Sequence, residues 1–599
     1  MTHVLAKHCA PLVLFTLAAC NPALRQQPEV GAPAPVVDSA AAPPVAQPVA
    51  EPVTPVLRPT AGDVFAVPGR RIDWPGPNEY RSANGSPGPA YWQQRADYTI
   101  SATLDTSAQS VGGRVTIRYT NNSPDTLRFV WLQLDQNLYR PGSEGSVLFA
   151  AESRWGVRGF QGGYDLDKVT VNGKTATPHV TGTLMRLDLE PALAPKGGTA
   201  TFAMDFRFRV PEHGSDRMGR DGMLYEIAQW YPRMAVYDDV RGWNTDPYLG
   251  QGEFYLEYGD MDYAITAPAG YTIAGSGVLQ NPAEVLTTEQ RARLQQAMRS
   301  PRVVSIIAAQ EARATPTPGT KTWRFHAEHV RDVAWAGAPD FRWDATNYAG
   351  RVLTQAFYQF AKTGKAWEEA AEQTRWSIKT YSERFFPYPY PQATSVAGPV
   401  GGMEYPMFVM VEYGENGDPN SVFSTLDHEQ GHEWFPMVVG SNERRYAWMD
   451  EGLNTYINTF SNEARYPRVP VWPGYIANWR GVVENKTQSP LMTAPDRIDP
   501  RALGAIGYRK PAAVLLTLRN HVLDPATFDA ALRLYIRRWA FKHPTPADFF
   551  RTVEDYAGED LSWFWRGFFY TTDVLDLGIE RVAMRGQGRA REAVVTLRR

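Results

Sequence analysis

The chain of 599 residues is long enough for three or four domains, and its aromatic content of 12% supplies the side chains that large apolar cores need. Its 61 Lys and Arg residues nearly balance 64 Asp and Glu residues, which gives a formal net charge of -3 at pH 7. With that balance, and with no basic run interleaved with aromatic residues, nucleic acid is excluded as the expected partner.

The first nineteen residues have the pattern of an export signal. Lys7 precedes an apolar run over residues 10–19, which ends in Leu17-Ala18-Ala19-Cys20. This ending resembles the lipobox of bacterial lipoprotein signals, in which cleavage before the cysteine is coupled to acylation of its thiol. We therefore expect a signal peptide over residues 1–19 and a lipid anchor at Cys20, which would hold the protein in the bacterial cell envelope, at the periplasmic face of the outer membrane. An ordinary secretory signal, or a cysteine placed there by chance, is the alternative.

Residues 20–75 are predicted to form a tether rather than a domain. From residue 21 to about residue 60 the sequence is dominated by Pro, Ala and Val, with few charges and no aromatic residues. Such a stretch buries too little surface to fold, and its prolines favour an extended, semi-rigid chain. Cys9 lies in the segment predicted to be removed, so a lipidated Cys20 would be the one cysteine of the mature chain and no disulfide could form.

Residues 76–330 show the patterning of a β-sheet domain. Short segments of alternating apolar and polar residues are separated by Asn-Gly, Pro-Gly and Asn-Asn turn signals. A helical insertion is predicted at 287–298. Strands are predicted most clearly at 98–104, 115–119, 129–132, 200–206 and 321–328. We expect these strands to pair as an antiparallel sheet.

The segment His428-Glu429-Gln430-Gly431-His432 carries the chemistry of residues 331–575. No proline interrupts residues 421–435, and Pro436 disfavours helical geometry at the residue before it, so a helix is predicted there. Two histidines four apart on a helix lie one turn above the other, so both imidazoles can reach one ion with the intervening glutamate beside it. The spacing predicts zinc ligands at His428 and His432.

A third ligand is expected from Glu451, nineteen residues after His432 in a Trp-Met-Asp-Glu-Gly setting. This interval lets the chain turn and present a carboxylate from a second helix. Three protein ligands leave the fourth position of one zinc ion open for water, as in catalytic zinc sites. The ordinary alternative is that both histidines are hydrogen-bonded core residues and Glu451 is a surface carboxylate.

At these motifs the chain resembles the gluzincin aminopeptidases, a family that includes aminopeptidase N and the bifunctional leukotriene hydrolase. The family pattern is HExxH, eighteen further residues and then Glu, which the interval between His432 and Glu451 reproduces. Upstream, Gly401-Gly402-Met403-Glu404-Tyr405 agrees at four of five positions with the family's Gly-x-Met-Glu-Asn strand. Downstream, Tyr508-Arg509-Lys510-Pro511-Ala512 matches the family's Tyr-x-Lys-Gly-Ala segment except at its proline.

The resemblance implies a role for each matching residue. Glu429 would act as general base and then general acid, and Tyr508 would stabilise the tetrahedral intermediate. Glu404 would bind the free α-ammonium group of a peptide, with Gly402 and Met403 bordering the same substrate cleft.

Two positions keep alternatives open. Gln229 is the candidate, by its order along the chain, for the side chain that the family's N-terminal domain sends toward the substrate amine. A side chain at the interface between two domains is an equally good interpretation of Gln229. Tyr405 stands where the family has Asn, which leaves substrate length and strict exopeptidase behaviour open.

After Tyr508 the alternation gives way to helical spacing, with helices predicted at 512–522, 525–540 and 546–570. Strand-like segments follow at 582–584 and 593–597. The expected fold is multidomain α+β. It comprises an antiparallel β-sheet N-terminal domain over 76–330, a thermolysin-like zinc catalytic domain with C-terminal helices over 331–575, and a short β-like tail over 576–599.

The expected activity is that of a zinc-dependent aminopeptidase, with one ion per chain, acting on peptides with a free N-terminus. A related zinc endopeptidase, an epoxide hydrolase using the same site and a non-catalytic binding module remain alternatives. The intact ligands, base and tyrosine argue against the binding module. The sequence does not indicate the preferred N-terminal side chain or the oligomeric state.

Overall fold

The computed structural model describes residues 75–150, 157–212, 217–313, 317–415, 417–467, 470–574, 578–588 and 591–598, which form a mixed α+β structure. The predicted signal segment, Cys20 and nearly all of the predicted tether lie outside the described residues. Among the described residues, no helix combines the length and apolar composition needed to cross a membrane.

Alternating burial builds an eight-stranded sheet in the N-terminal half. In the strand Arg95–Asp105, every second side chain from Ala96 to Leu104 is buried, so one face of the strand covers the core. Neighbouring strands are antiparallel except for Arg95–Asp105 and Gly259–Pro268, which are parallel. In sheet order the strands are Val278–Leu279, Thr320–Val330, Gly259–Pro268, Arg95–Asp105, Ser110–Asn121, Gly198–Arg209, Asp165–Val171 and Lys174–Thr175. Four of the five predicted strands lie in this sheet and are confirmed.

Three smaller sheets complete this half of the molecule. The fifth predicted strand, at 129–132, is confirmed within the first of them, which runs Arg233–Met234, Leu127–Gln133, Leu184–Leu193 and His179–Thr181. The second runs Thr272–Gly275, Trp335–Ala338, Leu224–Ile227 and Gly219–Asp221. The third is the pair Tyr237–Asp238 and Gly242–Trp243.

A six-stranded sheet carries the segment that borders the candidate site. Its order is Val304–Ile307, Arg342–Tyr348, Val352–Tyr358, Gln392–Gly398, Phe408–Glu412 and Met403–Tyr405. The edge strand Met403–Tyr405 pairs antiparallel with Phe408–Glu412, and this pairing sets Glu404 opposite Val409.

The sheets do not divide at residue 330, where the sequence suggested a domain boundary. Val304–Ile307 precedes that point but pairs with Arg342–Tyr348 in the six-stranded sheet. Trp335–Ala338 follows it but pairs with Leu224–Ile227 in the N-terminal half. Each half therefore contributes a strand to a sheet of the other.

The helices Thr288–Ala297, Ala370–Arg384 and Asn420–Gly431 pack on the six-stranded sheet, and further helices follow in the C-terminal half. The predicted insertion at 287–298 is a helix over Thr288–Ala297, opened by a capping box between Thr287 and Gln290. The predicted long helix at 546–570 is wrong, because Gly558 adopts a φ of 67° and ends the helix there. The α-helices are Glu144–Leu148, Pro282–Val285, Thr288–Ala297, Phe360–Thr363, Ala370–Arg384, Asn420–Gly431, Leu453–Arg465, Trp472–Glu484, Lys510–Thr517, Pro525–Trp539, Pro546–Ala557 and Ser562–Trp565.

Candidate active site

The helix Asn420–Gly431, here called the motif helix, carries both histidines of the HExxH segment at its C-terminal end. His428 lies in the last turn and His432 is the C-cap, with its amide 3.3 Å from the carbonyl oxygen of His428. The helix ends earlier than the predicted 421–435, because Phe435, directly before Pro436, has φ of -134° and ψ of 102°. A wide turn, Glu433–Val438, follows.

Three side-chain atoms converge at this end of the motif helix. Nε2 of His428 lies 3.0 Å from Oε2 of Glu451, Nε2 of His432 lies 3.2 Å from the same oxygen, and the two Nε2 atoms are 3.2 Å apart. Donors about 2.0–2.1 Å from a tetrahedral zinc ion are separated from one another by roughly 3.3 Å. The spacing and the donor types of His428, His432 and Glu451 therefore fit a zinc ion, with a fourth position left for water or substrate.

The electrostatics of the triad also favour a cation. Burial lowers the pKa of His428 and His432, yet the carboxylates that face them, including Glu451, raise both pKa values above the ordinary value. Burial raises the pKa of Glu451, but the two imidazoles outweigh burial and hold its pKa below the ordinary value. The site thus attracts positive charge, either as protons or as a metal ion.

Residues behind the ligands orient both imidazoles. Nδ1 of His428 lies 2.8 Å from Oδ1 of Asn458, which accepts a hydrogen bond from the Nδ1–H and so leaves Nε2 available to the metal. Nδ1 of His432 lies 2.7 Å from the carbonyl oxygen of Phe435 and 2.8 Å from Oδ1 of Asp450. Asn458 and Asp450 were not predicted as site residues from the sequence. The signal for Asn458 is its position seven residues after Glu451, two turns along nearly the same helical face.

Glycine lets the motif helix approach the helix that follows Glu451. A Cβ atom on Gly431 would lie 2.1 Å from Oδ1 of Asn454, in the helix Leu453–Arg465. This helix continues the turn Trp448–Gly452, which carries Glu451, and is here called the ligand helix. Without that Cβ, Nδ2 of Asn454 donates to the carbonyl oxygen of His428 at 2.8 Å. Gly452 likewise allows a close approach, because a Cβ atom there would lie 2.5 Å from Cγ of Pro511. These contacts pack the segment that follows Tyr508 against Glu451.

Glu429 and Tyr508 line a cavity together with His428 and Glu451, and His432 adjoins it through its contacts with those two ligands. The ring of Tyr508 stacks on that of His428, with centroids 5.7 Å apart and planes inclined by 22°. Glu429 is buried beside Gly402, where a Cβ atom would lie 2.7 Å from its Oε1. Gly402 also has a φ of 114°, so both its backbone and its surroundings require glycine.

The cavity has a volume of about 410 Å³ and a predominantly polar wall. Its lining residues are Glu253, Gly401, Gly402, Glu404, Ser424, Thr425, His428, Glu429, Glu451, Thr455, Asn458, Asn462, Val471, Tyr475, Tyr508 and Arg509. The structure therefore brings together the three predicted ligands, the predicted base, Tyr508, Glu404 and Gly402.

Two carboxylates, from Glu404 and Glu253, line this cavity beside the triad. Their oxygen atoms lie within 4.8 Å of each other in a cluster that also includes Glu443 and Asp450. Burial and the carboxylates of Glu253 and Glu429 raise the pKa of Glu404 well above the ordinary value, although His432 opposes them. Glu253 forms an ion pair with Arg217 and lies in a loop of the N-terminal half. No sequence motif marked it.

Gln229 and Met403 are not among the described residues that line the cavity. The side-chain amide of Gln229 donates to the hydroxyl of Tyr405, while its backbone carbonyl accepts from the hydroxyl of Tyr164 at 2.8 Å. Sδ of Met403 accepts from Arg217 at 3.2 Å. Tyr405, which stands where the resemblance has Asn, thus accepts from the amide NH2 group of Gln229, while Oε1 of Gln229, the atom that could accept from an amine, has no hydrogen-bond partner among the described residues. Gln229 contacts the site through Tyr405.

Two histidines on one helix, a glutamate between them and a third ligand from the start of the next helix define the gluzincin class of metallopeptidases. Comparison with known sequences agrees with this class. Residues 369–568 match the Peptidase family M1 domain. Aminopeptidase N of Plutella xylostella is 26% identical over 207 residues, which are 32% of this chain and 22% of that protein. Aminopeptidase M1-C of Oryza sativa subsp. japonica is 26% identical over 212 residues, which are 32% of this chain and 24% of that protein.

Comparison with solved structures shows the same fold. The M1 zinc metallopeptidase from Deinococcus radiodurans matches with a TM-score of 0.54 and 16% identity, over 82% of this chain and 98% of that one. The region that matches the Peptidase family M1 domain, residues 369–568, holds His428, His432, Glu451, Glu429 and Tyr508. The chain spans about a quarter of the length of the curated relatives that it matches.

Proposed function

We propose that this protein is a zinc-dependent aminopeptidase that removes the N-terminal residue from peptides. The observation that carries the proposal is the pair of carboxylates, Glu404 and Glu253, in the cavity that the zinc ligands His428 and Glu451 also line. Burial and, after it, the neighbouring carboxylates raise the pKa of Glu404, and an ammonium group bound there would favour the charged carboxylate. A peptide anchored by its free amine would then present its first peptide bond to the triad.

The residues around the triad supply the steps of hydrolysis. A zinc ion held by His428, His432 and Glu451 would lower the pKa of a coordinated water and polarise the scissile carbonyl. Glu429 takes the proton of the attacking water and then delivers it to the departing amine. The hydroxyl of Tyr508 donates a hydrogen bond to the oxyanion that develops on the carbonyl oxygen.

Gly402 supports this chemistry by its close approach to Glu429. The absence of a Cβ allows the carboxylate to lie against the backbone of the edge segment that also carries Glu404. The base and the amine anchor are therefore held by adjoining elements. A form of the Deinococcus radiodurans metallopeptidase bound to a Tyr-Ser-Ala substrate, with a TM-score of 0.53, is consistent with a peptide substrate for this fold.

The test is hydrolysis of matched peptides and aminoacyl-arylamides with free and N-acetylated termini. Cleavage of the free substrates alone, abolished by a chelator and restored by zinc, is the expected result. Glu404→Gln and Glu253→Gln should each raise KM, because each removes negative charge that the ammonium group contacts. Cleavage of acetylated peptides at a comparable rate would instead establish an endopeptidase.

We further propose that the enzyme is held at the bacterial cell envelope through acylation of Cys20, on the periplasmic face of the outer membrane. The lipobox-like ending of residues 17–20 and the Pro-rich stretch that follows support this location. Labelling of expressing cells with a fatty-acid probe should tag the wild type and not Cys20→Ala. Equal labelling of both proteins would rule out the anchor.

A further inference from the structure

The C-terminal strands Gly578–Arg585 and Glu592–Arg598, here called the terminal hairpin, form a sheet of their own. They pair antiparallel, with Val582 opposite Val595 and Met584 opposite Ala593. An isolated two-stranded hairpin is marginally stable in water and gains stability by packing one face on another surface. The stability of the terminal hairpin therefore depends on whether one of its faces packs on another surface.

One face of the terminal hairpin is entirely apolar. Residues directly opposite each other share a face, and alternate residues along a strand return to it. An irregularity between Ile579 and Arg581 keeps Ile579, opposite Leu597, on the same side. The apolar face consists of Ile579, Val582, Met584, Ala593, Val595 and Leu597.

This apolar face is open to solvent. Ile579 is 67% exposed, and Val582, Met584 and Leu597 are each 58% exposed. Val595 is 48% exposed. Among the described residues, none packs on these side chains closely enough to bury them as core side chains are buried. A contiguous apolar surface of this kind marks an interaction site.

The charge of the same segment indicates what it contacts. Residues 578–599 contain six arginines and two glutamates, in a chain whose formal net charge is -3. Arg581 and Arg585 lie on the face opposite the apolar one. A flat element with one apolar face and a cationic remainder matches an anionic lipid surface, where acyl chains accept the apolar face and headgroups surround the arginines.

We propose that the apolar face of the terminal hairpin docks onto the surface of a bilayer that contains anionic lipids. The alternative occupant, the hairpin of a second copy, would cover the apolar face but would offer the arginines none of the negative charge that lipid headgroups supply. The docking depends on neither the zinc site nor the proposed peptidase activity. It would supply a membrane contact separate from the proposed lipid anchor at Cys20.

The experiment is vesicle co-sedimentation of the full chain carrying Cys20→Ser, so that no acyl chain is present. Vesicles of pure phosphatidylcholine are compared with an equimolar mixture of phosphatidylcholine and phosphatidylglycerol. We expect binding to the anionic vesicles that weakens at high salt. Val595→Glu should reduce this affinity by roughly tenfold or more, because it places a charge in the buried face.

Thr596→Glu is the matched control. It changes the net charge by the same amount one residue away, on the opposite face, and should reduce the affinity by only about threefold. Equal losses for Val595→Glu and Thr596→Glu, or equal binding of the wild type to both kinds of vesicle, would overturn the proposal. A dimer in solution that Val595→Glu dissociates would also overturn it, because the face would then cover a second copy.

Discussion

At the scale of single residues, two neighbouring glycines at the rim of the cavity differ in what they can accept. A Cβ atom on Gly402 would lie 2.7 Å from Oε1 of Glu429, at a φ of 114° that other residues rarely adopt. Gly401 has no atom within 4 Å of its Cβ position. Of these two glycines, Gly402 and not Gly401 therefore limits the space around Glu429.

Gly402→Ala should lower kcat/KM for arylamides by roughly a hundredfold, because displacing Glu429 misaligns the base with the scissile bond. The zinc content should stay at the wild-type level, since none of the three ligands is touched. Gly401→Ala is the control and should retain near-wild-type kinetics. Steady-state rates with parallel metal analysis make the measurement, and equal rates for both variants would contradict the role given to Gly402.

The buried carboxyl group of Glu226 gives a second residue-scale prediction. It accepts the backbone N–H of Val400 at 2.9 Å, and burial raises its pKa from 4.5 to about 8. Because the folded pKa lies above the unfolded one, the stability from this group is fully present below pH 4.5 and is lost as pH rises toward about 8.

Glu226→Gln keeps an acceptor for Val400 and removes the cost of the charge. It should therefore raise the free energy of unfolding at pH 8 by up to about 4 kcal/mol and change it little at pH 4.5. Urea denaturation of both proteins across this pH range measures the difference. A difference that does not vary with pH would show that Glu226 is not the group that titrates.

The residues at the centre of the site could be predicted from the sequence, whereas residues at its border could not. The spacing of His428, Glu429, His432 and Glu451 determines their geometry, because one helical turn and one connecting segment relate them. Glu253 reaches the cavity from a loop nearly two hundred residues earlier in the chain, so no local pattern could mark it. Gln229 has the expected order along the chain but donates to Tyr405.

At the scale of elements, Gly431 controls how closely the motif helix and the ligand helix pack. A Cβ atom there would lie 2.1 Å from Oδ1 of Asn454 and 2.7 Å from Nδ2 of Asn458. Gly431→Ala should therefore destabilise the protein by about 1–3 kcal/mol through overpacking and weaken zinc binding. Zinc binding suffers because Asn458 orients His428.

Gly481→Ala provides the matched substitution within the helix Trp472–Glu484, where no atom lies within 4 Å of the Cβ position. Alanine there should stabilise the protein by about 0.5–1 kcal/mol, because it has the higher helix propensity. Chemical denaturation with metal analysis compares the two variants. A stabilising Gly431→Ala would show that the helices are not constrained at that contact.

The spacing of apolar residues predicted which segments form strands and helices, but it predicted the ends of those segments less well. Alternation placed all five strands because one face of each covers a core. The helix predicted over 546–570 contains Gly558, which ends it in a left-handed conformation. The apolar residues on both sides kept helical spacing, so periodicity alone did not reveal the break.

At the scale of the whole molecule, ion pairs between distant segments join the halves that the sequence seemed to separate. Arg331 pairs with Glu443 at 2.7 Å, and both side chains are almost fully buried. Arg81 pairs with Asp548 at 2.5 Å, which connects the first described segment to a C-terminal helix. The strand exchange across residue 330 has the same effect. Contacts over such sequence separations leave no periodic signal, so the general fold could be predicted and its domain boundary could not.

Bound zinc and hydrolysis of an unblocked aminoacyl-arylamide, measured for the wild-type protein and for Glu429→Gln, test the zinc aminopeptidase mechanism. We expect one zinc ion per chain in both proteins, because Glu429 is not a ligand, and a loss of turnover of roughly 10²–10⁴-fold in the variant. Retained turnover in Glu429→Gln, or turnover by wild-type protein stripped of zinc, would contradict this mechanism.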